Sequence, residues 1–403
     1  MLAAMWRWLT GVLVVAVVGV GVAGLLRHTP SVRLVAAHAP AQFSHRPLDL
    51  AWPAAGEAAI AVPGIGVVGS RRGERAVPIA SVAKVMTAYV VLRDHPLGPG
   101  VNGPTIIVTP TDVAIYQADL TAGESVAPVA AGERLSEWQA LEAMLLPSAN
   151  NIATMLASWD AGSLGAFVAK MNGWARALRL RHSRYADASG VDSATVSSAD
   201  DQVRLAMAAL RMRAFAQIVS MRQARLPVAG VQRNRDALLG RSGVFGVKTG
   251  FTSAAGACFV FAAHEHVGAR TITVIGAVLG QPATTAQPTM IGDSLNATIR
   301  LLRGIPRVLE TVRFGADMPL ASLHAAWTRP VAAELSRAVS FVGWPGLPVR
   351  VRLVAAPELR APIRPGQAVA VADMTAGDQH QAVPVLLTRQ LDSPSLWWRL
   401  THP

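Results

Sequence analysis

The chain has 403 residues, a formal net charge of +12, 51% hydrophobic residues and 15% charged ones. So apolar a composition excludes a disordered or fibrous chain, and the length allows two or three domains. The single cysteine, Cys258, excludes a disulfide scaffold and a Cys-ligated zinc site. The positive charge predicts an anionic neighbour: nucleic acid, a membrane surface or an acidic wall polymer. Nucleic acid is the least favoured, because the arginines are scattered and no DNA-reading pattern accompanies them.

An almost uninterrupted apolar run, Leu9–Leu26, follows the N-terminus and is closed by Arg27. Its roughly 18 residues lie at the border between a long signal peptide and a short membrane-spanning helix. Small residues that could serve a signal peptidase, such as Ala37, lie well beyond the run, which favours an uncleaved anchor. Either interpretation exports the rest of the chain, so residues 1–44 are assigned to a signal or anchor segment and a linker.

Hydrophobic periodicity in the next 260 or so residues predicts both helices and strands. Short strands are predicted over Glu57–Val68, followed by helices over Ile79–Leu92, over Trp138–Asp160 with a break at Pro147, and over Ser163–Leu178. A further helix is predicted after a capping box formed by Ser198 and Asp201. Three strands follow, over Val244–Lys248, Ala257–Ala263 and Thr271–Leu279, and then a helix over Met290–Leu302 that ends before Gly304 and Pro306. Short glycine-bearing turns between the last three strands suit an antiparallel sheet.

Beyond Pro306 the sequence becomes proline-rich and alternating. Val349, Val351 and Leu353 interleave with arginines, a period-two pattern that indicates a half-buried strand. Asp373–Gln381 predicts a hairpin turn between two further strands. We therefore expect a small all-β domain over residues 307–392. Residues 393–403 form an amphipathic tail whose tryptophans could touch a membrane interface or pack onto the β domain.

Lysine is scarce in this chain, since all but three of the 37 basic residues are arginine. Lysine, unlike arginine, can be held neutral and act as a base, so Lys84 and Lys248 are candidates for chemistry. The third, Lys170, is predicted to be a surface residue. Ser81 and Lys84 form S-x-x-K at the start of a predicted helix. This spacing puts both side chains on one face, close enough for a neutral amine to take the serine proton.

Two further motifs follow in order. Ser148 and Asn150 form S-x-N in the loop after Pro147, and Lys248, Thr249 and Gly250 form K-T-G at the end of a strand. Alone, S-x-N is a very weak signal, with an ordinary turn as the simpler interpretation, whereas K-T-G is moderately specific. The glycine lets a backbone or substrate approach the strand closely. Their combination and order favour a shared site over chance.

Together the three motifs are similar to those of the penicillin-binding proteins and β-lactamases. Their surroundings resemble the D-alanyl-D-alanine carboxypeptidases, the low-mass penicillin-binding proteins of bacterial cell-wall metabolism. Asp187–Val191 resembles that family's loop, and Arg235 precedes the K-T-G strand as expected. The likeness covers about residues 45–400. It implies an α+β transpeptidase-like domain over residues 45–306, with an antiparallel sheet and a helical subdomain, followed by the C-terminal β domain.

Three positions depart from the family pattern. Asn151 stands where aspartate is usual, Ala83 where threonine is common and Phe245 where an aspartate often occurs. None is a catalytic side chain in the family. The departures therefore bear on local hydrogen bonding and substrate preference rather than on the class of reaction.

The resemblance implies a mechanism. Ser81 attacks the carbonyl between two terminal D-alanines while neutral Lys84 accepts its proton, and Lys248 lowers the pKa of Lys84 and attracts the substrate carboxylate. Ser148 relays the proton to the leaving D-alanine, and Asn150 orients Lys84 and the substrate amide. Further residues are implied in substrate binding: the backbone N–H groups of Ser81 and Phe251 as the oxyanion hole, Thr249 and Arg235 for the carboxylate, and Gly250 for close approach.

The resemblance also implies partners and location. The substrate is a peptidoglycan stem peptide ending in D-Ala-D-Ala, and β-lactams are covalent inhibitors. No metal, cofactor or nucleic acid is expected. The enzyme would be exported and act on the extracytoplasmic face of the bacterial membrane, either anchored through its N-terminal segment, with the tail as a second candidate contact, or secreted. His264 and His266 suggest a metal site only weakly, and Cys258 is predicted to be a small core residue.

Three alternatives stay open. A D,D-endopeptidase acting on cross-linked wall would use the same serine and is not distinguished by sequence. A β-lactamase needs a carboxylate base for deacylation, and no glutamate stands two or three residues before a Leu-Asn pair between the second and third motifs. A catalytically silent wall-binding protein is disfavoured by the intact motif residues.

Overall fold

The computed structural model describes residues 31–37, 43–268, 270–283 and 289–402. The predicted N-terminal anchor lies outside the described residues. The chain separates into a larger unit, residues 47–309, and a smaller unit that combines residues up to 46 with residues 310–403. Within the described ranges, no single helix is long and apolar enough to cross a membrane. Two helices, Asn150–Ala161 and Leu164–Ala177, would pass that test only as a pair bent by 86°.

Strands and helices are labelled separately in chain order. The strands are β1 (Arg33–Ala36), β2 (Glu57–Val62), β3 (Gly66–Arg71), β4 (Val77–Pro78), β5 (Thr105–Ile107), β6 (Arg134–Ser136), β7 (Val196–Ser197), β8 (Gln223–Leu226), β9 (Gly230–Arg233), β10 (Val244–Thr252), β11 (Gly256–Val267), β12 (Arg270–Gln281), β13 (Glu310–Phe314), β14 (Pro319–Ala325), β15 (Thr328–Leu335), β16 (Val339–Gly343), β17 (Val349–Ala355), β18 (Ala368–Ala376) and β19 (Gln379–Leu387). The helices are α1 (Lys84–Asp94), α2 (Pro110–Thr121), α3 (Glu137–Leu145), α4 (Asn150–Ala161), α5 (Leu164–Ala177), α6 (Ala199–Ala209), α7 (Arg213–Ser220), α8 (Gly292–Val308) and α9 (Leu396–Thr401).

The larger unit is built on an antiparallel five-stranded sheet in the order β10-β11-β12-β2-β3. Its three longest strands are consecutive in the chain, as their glycine-bearing turns predict, and β10 lies at the edge of the sheet. Helix α1 is buried from Lys84 to Leu92. Because a helix buried on every side must be enclosed by other elements, α1 forms the centre of the helical layer. The predicted α+β class is confirmed.

Two details of the larger unit differ from the sequence interpretation. Helix α8 runs through Gly304 and Pro306 to Val308 instead of ending before them. A proline inside a helix costs about 3 kcal/mol. Here the proline lies in the last turn of α8, so the backbone hydrogen bond that it removes is at the end of the helix. Burial of Leu301, Ile305 and Val308 stabilises this turn.

The capping box predicted before α6 is only half formed. Ser198 Oγ accepts from the N–H of Asp201, but the Asp201 carboxylate does not return to Ser198. It accepts instead from the N–H of His182 and the hydroxyl of Ser183. A tertiary contact therefore replaces the local one.

The smaller unit contains a six-stranded antiparallel sheet in the order β1-β14-β15-β19-β18-β17 and a β13-β16 pair. The predicted hairpin is present as β18 and β19. Residues 33–36, placed in a linker by the sequence interpretation, pair with β14 as an edge strand. In the tail, Trp398 packs edge-on against Trp327, whereas the Trp397 side chain is 76% exposed. Trp398 thus packs onto the β domain, whereas the membrane contact of Trp397 stays a prediction.

Candidate active site

The S-x-x-K motif lies where a 3-10 turn, Ala80–Ala83, leads into α1. Residues three apart are eclipsed in a 3-10 turn, so the Lys84 side chain is aligned with that of Ser81. Lys84 Nζ donates to Ser81 Oγ over 2.9 Å. Ala80, just before the serine, has a φ of 48°, a left-handed conformation that a non-glycine residue adopts only when its surroundings require it.

Lys84 is fully buried, and its contacts are with neutral groups. Its Nζ also donates to Asn150 Oδ1 over 2.5 Å and to the Ser189 carbonyl over 3.0 Å. Burial lowers the pKa of Lys84 to about 7, an effect that the charges of Asp187 and Glu124 oppose and that of Arg235 assists. The sequence argument assigned this effect to Lys248, whereas the main cause is burial. A large neutral fraction is therefore present near pH 7.

The S-x-N motif lies in the connection between α3 and α4. Ser148 has a φ of 70°, which turns the chain so that Asn150 becomes the first residue of α4. Ser148 is 4% exposed and lines the same cleft as Ser81. Asn150 makes two side-chain contacts, accepting from Lys84 through Oδ1 and donating from Nδ2 to Glu124 Oε2 over 2.7 Å. The connection thus places both motif side chains at the cleft that Ser81 lines, and Asn150 in contact with Lys84.

The K-T-G motif lies on the edge strand β10. A Cβ on Gly250 would stand 2.9 Å from the Ser81 nitrogen and 3.0 Å from that of Val82, so only glycine lets the strand lie this close to the serine turn. Lys248 is 2% exposed and donates to the Thr249 carbonyl. Burial, and then the charges of Lys84 and Arg235, lower the pKa of Lys248 well below its ordinary value.

The loop Asp187–Val191 supports the base from beneath. One carboxylate oxygen of Asp187 accepts from the N–H groups of Gly190 and Val191 and from the Ser189 hydroxyl. Gly190 has a φ of 83°, and a Cβ there would stand 1.9 Å from the Ala80 carbonyl oxygen. These contacts fix the Ser189 carbonyl that accepts from Lys84.

These elements enclose a cleft of about 770 Å³. The structure brings Ser81, Ser148, Asn150, Thr249, Gly250, Phe251 and Arg235 to its lining, and Lys84 and Lys248 lie buried behind it. Among the described residues of the lining, Glu124 and Arg235 are the charged ones.

Sequence reasoning missed Glu124 entirely. The helix before it, α2, was missed too, although Thr109, Pro110 and Asp112 carry its start signal. Thr109 and Asp112 form a reciprocal capping box, with proline as the first helical residue. Nothing local in the sequence marks Glu124, because its partner Asn150 lies 26 residues further along the chain.

Two of the three residues that depart from the family pattern, Asn151 and Phe245, have side-chain partners of their own. Asn151 donates to the Ala127 carbonyl and accepts from the Ala127 N–H, a reciprocal pair that an aspartate would only half make. Phe245 stacks on His264 with ring centroids 4.5 Å apart. Neither replaces a contact of Ser81 or Lys84.

The remaining candidates lie away from the cleft or are inert. His264 and His266 are exposed near the end of β11, and no group of three metal-ligating side chains occurs in the described part of the chain. Cys258 is buried, and burial raises the pKa of its thiol to about 12, so no thiolate forms near neutral pH. Lys170 pairs with Asp94 and Asp160 at the surface.

Comparison with known proteins matches the part of the chain that carries the three motifs to one family. A family model described as D-alanyl-D-alanine carboxypeptidase matches residues 64–282. A D-alanyl-D-alanine endopeptidase of Pseudomonas aeruginosa is 33% identical over 203 residues, 48% of this chain and 62% of that protein. A D-alanyl-D-alanine carboxypeptidase of Mycobacterium tuberculosis is 34% identical over 204 residues, 49% of this chain and 66% of that protein. The chain thus spans somewhat less than two thirds of these curated relatives.

Solved structures share the fold. Penicillin binding protein 5 from Haemophilus influenzae superposes with a TM-score of 0.58 at 20% identity, covering 86% of this chain and 99% of that one. A Streptomyces DD-transpeptidase superposes with a TM-score of 0.53 at 24% identity, covering 62% of this chain and 97% of that one. At these identities the likeness concerns the fold alone.

Proposed function

The chain belongs to the D-alanyl-D-alanine carboxypeptidase family, and on that premise we propose that it is a serine hydrolase that removes the terminal D-alanine from peptidoglycan stem peptides. The observation that carries the proposal is the pair formed by Ser81 and Lys84, 2.9 Å apart at a cleft, with the amine buried and its pKa lowered to about 7. Such a pair supplies a nucleophile and its base without a metal or cofactor.

Acylation begins with neutral Lys84 taking the Ser81 proton as Oγ attacks the carbonyl between the two D-alanines. The oxyanion lies between the N–H groups of Ser81 and Phe251, which the close packing of Gly250 on the serine turn supports. The proton then passes from Lys84 through Ser148 to the leaving amine. The C–N bond breaks, D-alanine departs, and an ester on Ser81 remains.

Substrate binding uses the edge of the sheet and the cations beside it. Strand β10 is an edge strand, so an extended peptide can lie along it. Arg235 lines the cleft and is exposed, whereas Lys248 is buried and donates to the Thr249 carbonyl. Because Arg235 and Thr249 line the cleft and Lys248 does not, we assign direct contact with the terminal carboxylate to Arg235 and the Thr249 hydroxyl, and an indirect role to Lys248.

Labelling by a fluorescent penicillin tests this function. The wild type should become covalently labelled, and Ser81→Ala should not, because the label is an ester on that hydroxyl. The matched control is Ser253→Ala, which removes a hydroxyl from the same cleft and should leave labelling within a few-fold of the wild type. An unlabelled wild type would contradict the proposal and favour a catalytically silent wall-binding protein.

The second candidate, a D,D-endopeptidase, has a specific basis in the curated relatives, since proteins of three bacteria among them carry that name. Both activities cut a D-alanyl bond through the same serine. Digested wall fragments incubated with the enzyme and analysed by mass spectrometry separate them. Loss of one D-alanine from pentapeptides supports the carboxypeptidase, whereas conversion of cross-linked dimers to monomers supports the endopeptidase.

A β-lactamase would release penicillin rapidly. We expect the adduct on Ser81 to persist, because the ring-opened leaving nitrogen stays tethered in the cleft. The sequence also lacks the β-lactamase glutamate at its expected place, and without a general base the rate of deacylation falls about a hundredfold to ten-thousandfold. Intact-mass spectrometry after a short penicillin pulse and removal of the excess measures this. Rapid return to the unmodified mass would favour the β-lactamase.

The substrate requires an extracytoplasmic location. We infer that the apolar run Leu9–Leu26 exports the chain and stays attached, and that the exposed Trp397 in the tail adds a membrane contact. Fractionation of the native host tests this inference. Recovery of the protein in the soluble cytoplasm would contradict both the location and the wall substrate.

A further inference from the structure

Glu124 occupies a place in the cleft that no sequence motif marks. It lies just after α2, and its Oε2 accepts from Asn150 Nδ2 over 2.7 Å. A backbone hydrogen bond joins the same loop to the start of α4, since the Asn150 N–H donates to the Ser125 carbonyl over 2.7 Å. Asn151 extends this link by its reciprocal pair with Ala127. Four hydrogen bonds thus tie the Glu124 loop to the start of α4.

The chemistry of a carboxamide makes this contact informative. Asn150 can present either its oxygen or its nitrogen to Lys84, and only the oxygen accepts from the lysine in both protonation states. Because a carboxylate is only an acceptor, Glu124 pairs with the NH2 group and turns Oδ1 towards Lys84. One hydrogen of Nδ2 is used by Glu124, and the second stays available for a substrate carbonyl.

The charge of Glu124 has a separate effect. It raises the pKa of Lys84, in opposition to burial, and Asp119 acts in the same direction. Within the described part of the chain, the side chain of Asn150 contacts Lys84 and Glu124 but not Asp119. The backbone carbonyl of Asp119 accepts from the Glu124 N–H over 2.9 Å. Charge and orientation can therefore be separated by variants at these two positions.

We propose that Glu124 is a positioning residue, which locks the Asn150 carboxamide with its oxygen on Lys84 and its free N–H towards the substrate. The inference rests on the proposed serine-hydrolase function. Glu124 acts through Asn150, so its removal should slow acylation even at a pH where Lys84 is fully neutral. A Gln side chain keeps an acceptor oxygen for Asn150 Nδ2 and should retain the orientation.

The test measures the rate of acylation by a fluorescent penicillin across pH for the wild type, Glu124→Ala, Glu124→Gln and Asp119→Asn. Glu124→Ala should lower the high-pH plateau about tenfold to a hundredfold, the scale of a misplaced catalytic group. Glu124→Gln should keep the plateau within a few-fold and shift the acid limb to lower pH, since a charge that raises the pKa of Lys84 is gone. Asp119→Asn should shift the limb the same way with an unchanged plateau.

Each outcome decides between orientation and its alternatives. A Glu124→Ala plateau equal to that of the wild type overturns the inference and leaves the proposed function intact. A Glu124→Gln plateau as low as that of Glu124→Ala also overturns it, because the carboxylate itself would then be needed in the chemistry. The unfolding midpoints of both variants serve as the control. If both midpoints equal that of the wild type, the slow acylation of Glu124→Ala is not caused by misfolding. Failure of the wild type to label would overturn the proposed function, and this inference with it.

Discussion

The larger unit holds two contrasting lysine environments, Lys84 at the cleft and Lys170 on α5. Lys84 is fully buried and touches a hydroxyl, a carboxamide and a carbonyl. Lys170 is 39% exposed and donates to the carboxylates of Asp94 and Asp160, each over 2.7 Å. Burial lowers the pKa of Lys170, but the hydrogen bonds to both carboxylates outweigh it and the pKa rises.

The comparison shows what makes a lysine a base. Both ammonium groups have carboxylates nearby, but only Lys170 touches them. At Lys84 the carboxylates of Asp187 and Glu124 act from beyond its direct contacts, so burial dominates and the pKa falls to about 7. Direct contact with neutral acceptors orients the amine without stabilising its charge enough to keep it protonated.

The largest expected effect comes from exchanging the base for a permanent cation. Lys84→Arg keeps the positive charge but cannot be deprotonated, so the acylation rate should fall about a hundredfold to ten-thousandfold, close to the level of Ser81→Ala. Stopped-flow or gel-based penicillin labelling measures this. Lys170→Arg is the matched control and should label at the wild-type rate. Near wild-type labelling of Lys84→Arg would remove the base from the mechanism.

A smaller effect is expected from the packing beneath the serine. Gly250→Ala places a Cβ within about 3 Å of two backbone nitrogens of the serine turn, and the displaced turn should slow acylation about tenfold to a hundredfold. Gly165→Ala, at an exposed position of α5 with no atom within 4 Å of the new Cβ, is the control. It should leave the rate unchanged and stabilise the fold by up to about 1 kcal/mol. Equal rates for both variants would contradict the close-packing argument.

The pH profile of acylation sharpens the contrast between the two lysines. Protonated Lys84 cannot accept a proton, so the rate should fall about tenfold per pH unit below about 7 and level off above it. The pH at which the rate levels off follows from the lowered pKa of Lys84, since with an ordinary lysine the rate would keep rising beyond pH 10. Lys170→Met should leave this limb in place. A flat profile between about pH 5 and 9 would exclude Lys84 as the titrating base.

The smallest effect concerns stability alone. Lys170→Met removes the ammonium group from the buried Asp160 carboxylate and leaves the His95 ring, 3.1 Å away, as its neighbour among the described residues, so the free energy of unfolding should fall by about 1 to 2 kcal/mol. Urea unfolding measures the loss, and Lys170→Arg, which keeps a cation, should lose less. Acylation should stay at the wild-type rate in both variants. A slowed acylation in Lys170→Met would mean that the two environments are coupled.

Much of the fold followed from periodicity and turn residues. The three long strands of the sheet, the break between α3 and α4 and the hairpin of β18 and β19 were all predictable, because each depends on a local pattern. Predictions went wrong where a tertiary contact outweighed a local rule. The end of α8 is one example, since burial of its apolar face carries the helix through Pro306, and the carboxylate of Asp201 is another.

The sequence by itself determined the chemical groups of the candidate site. The scarcity of lysine drew attention to Lys84 and Lys248, and the order of three short motifs pointed to the family. Only the tertiary structure decided how those groups are tuned. The burial that lowers the pKa of Lys84, the contact of Gly250 with the serine turn and the pairing of Glu124 with Asn150 join segments from distant parts of the chain. Burial and contact between distant residues arise only when the chain folds, so no local pattern encodes them.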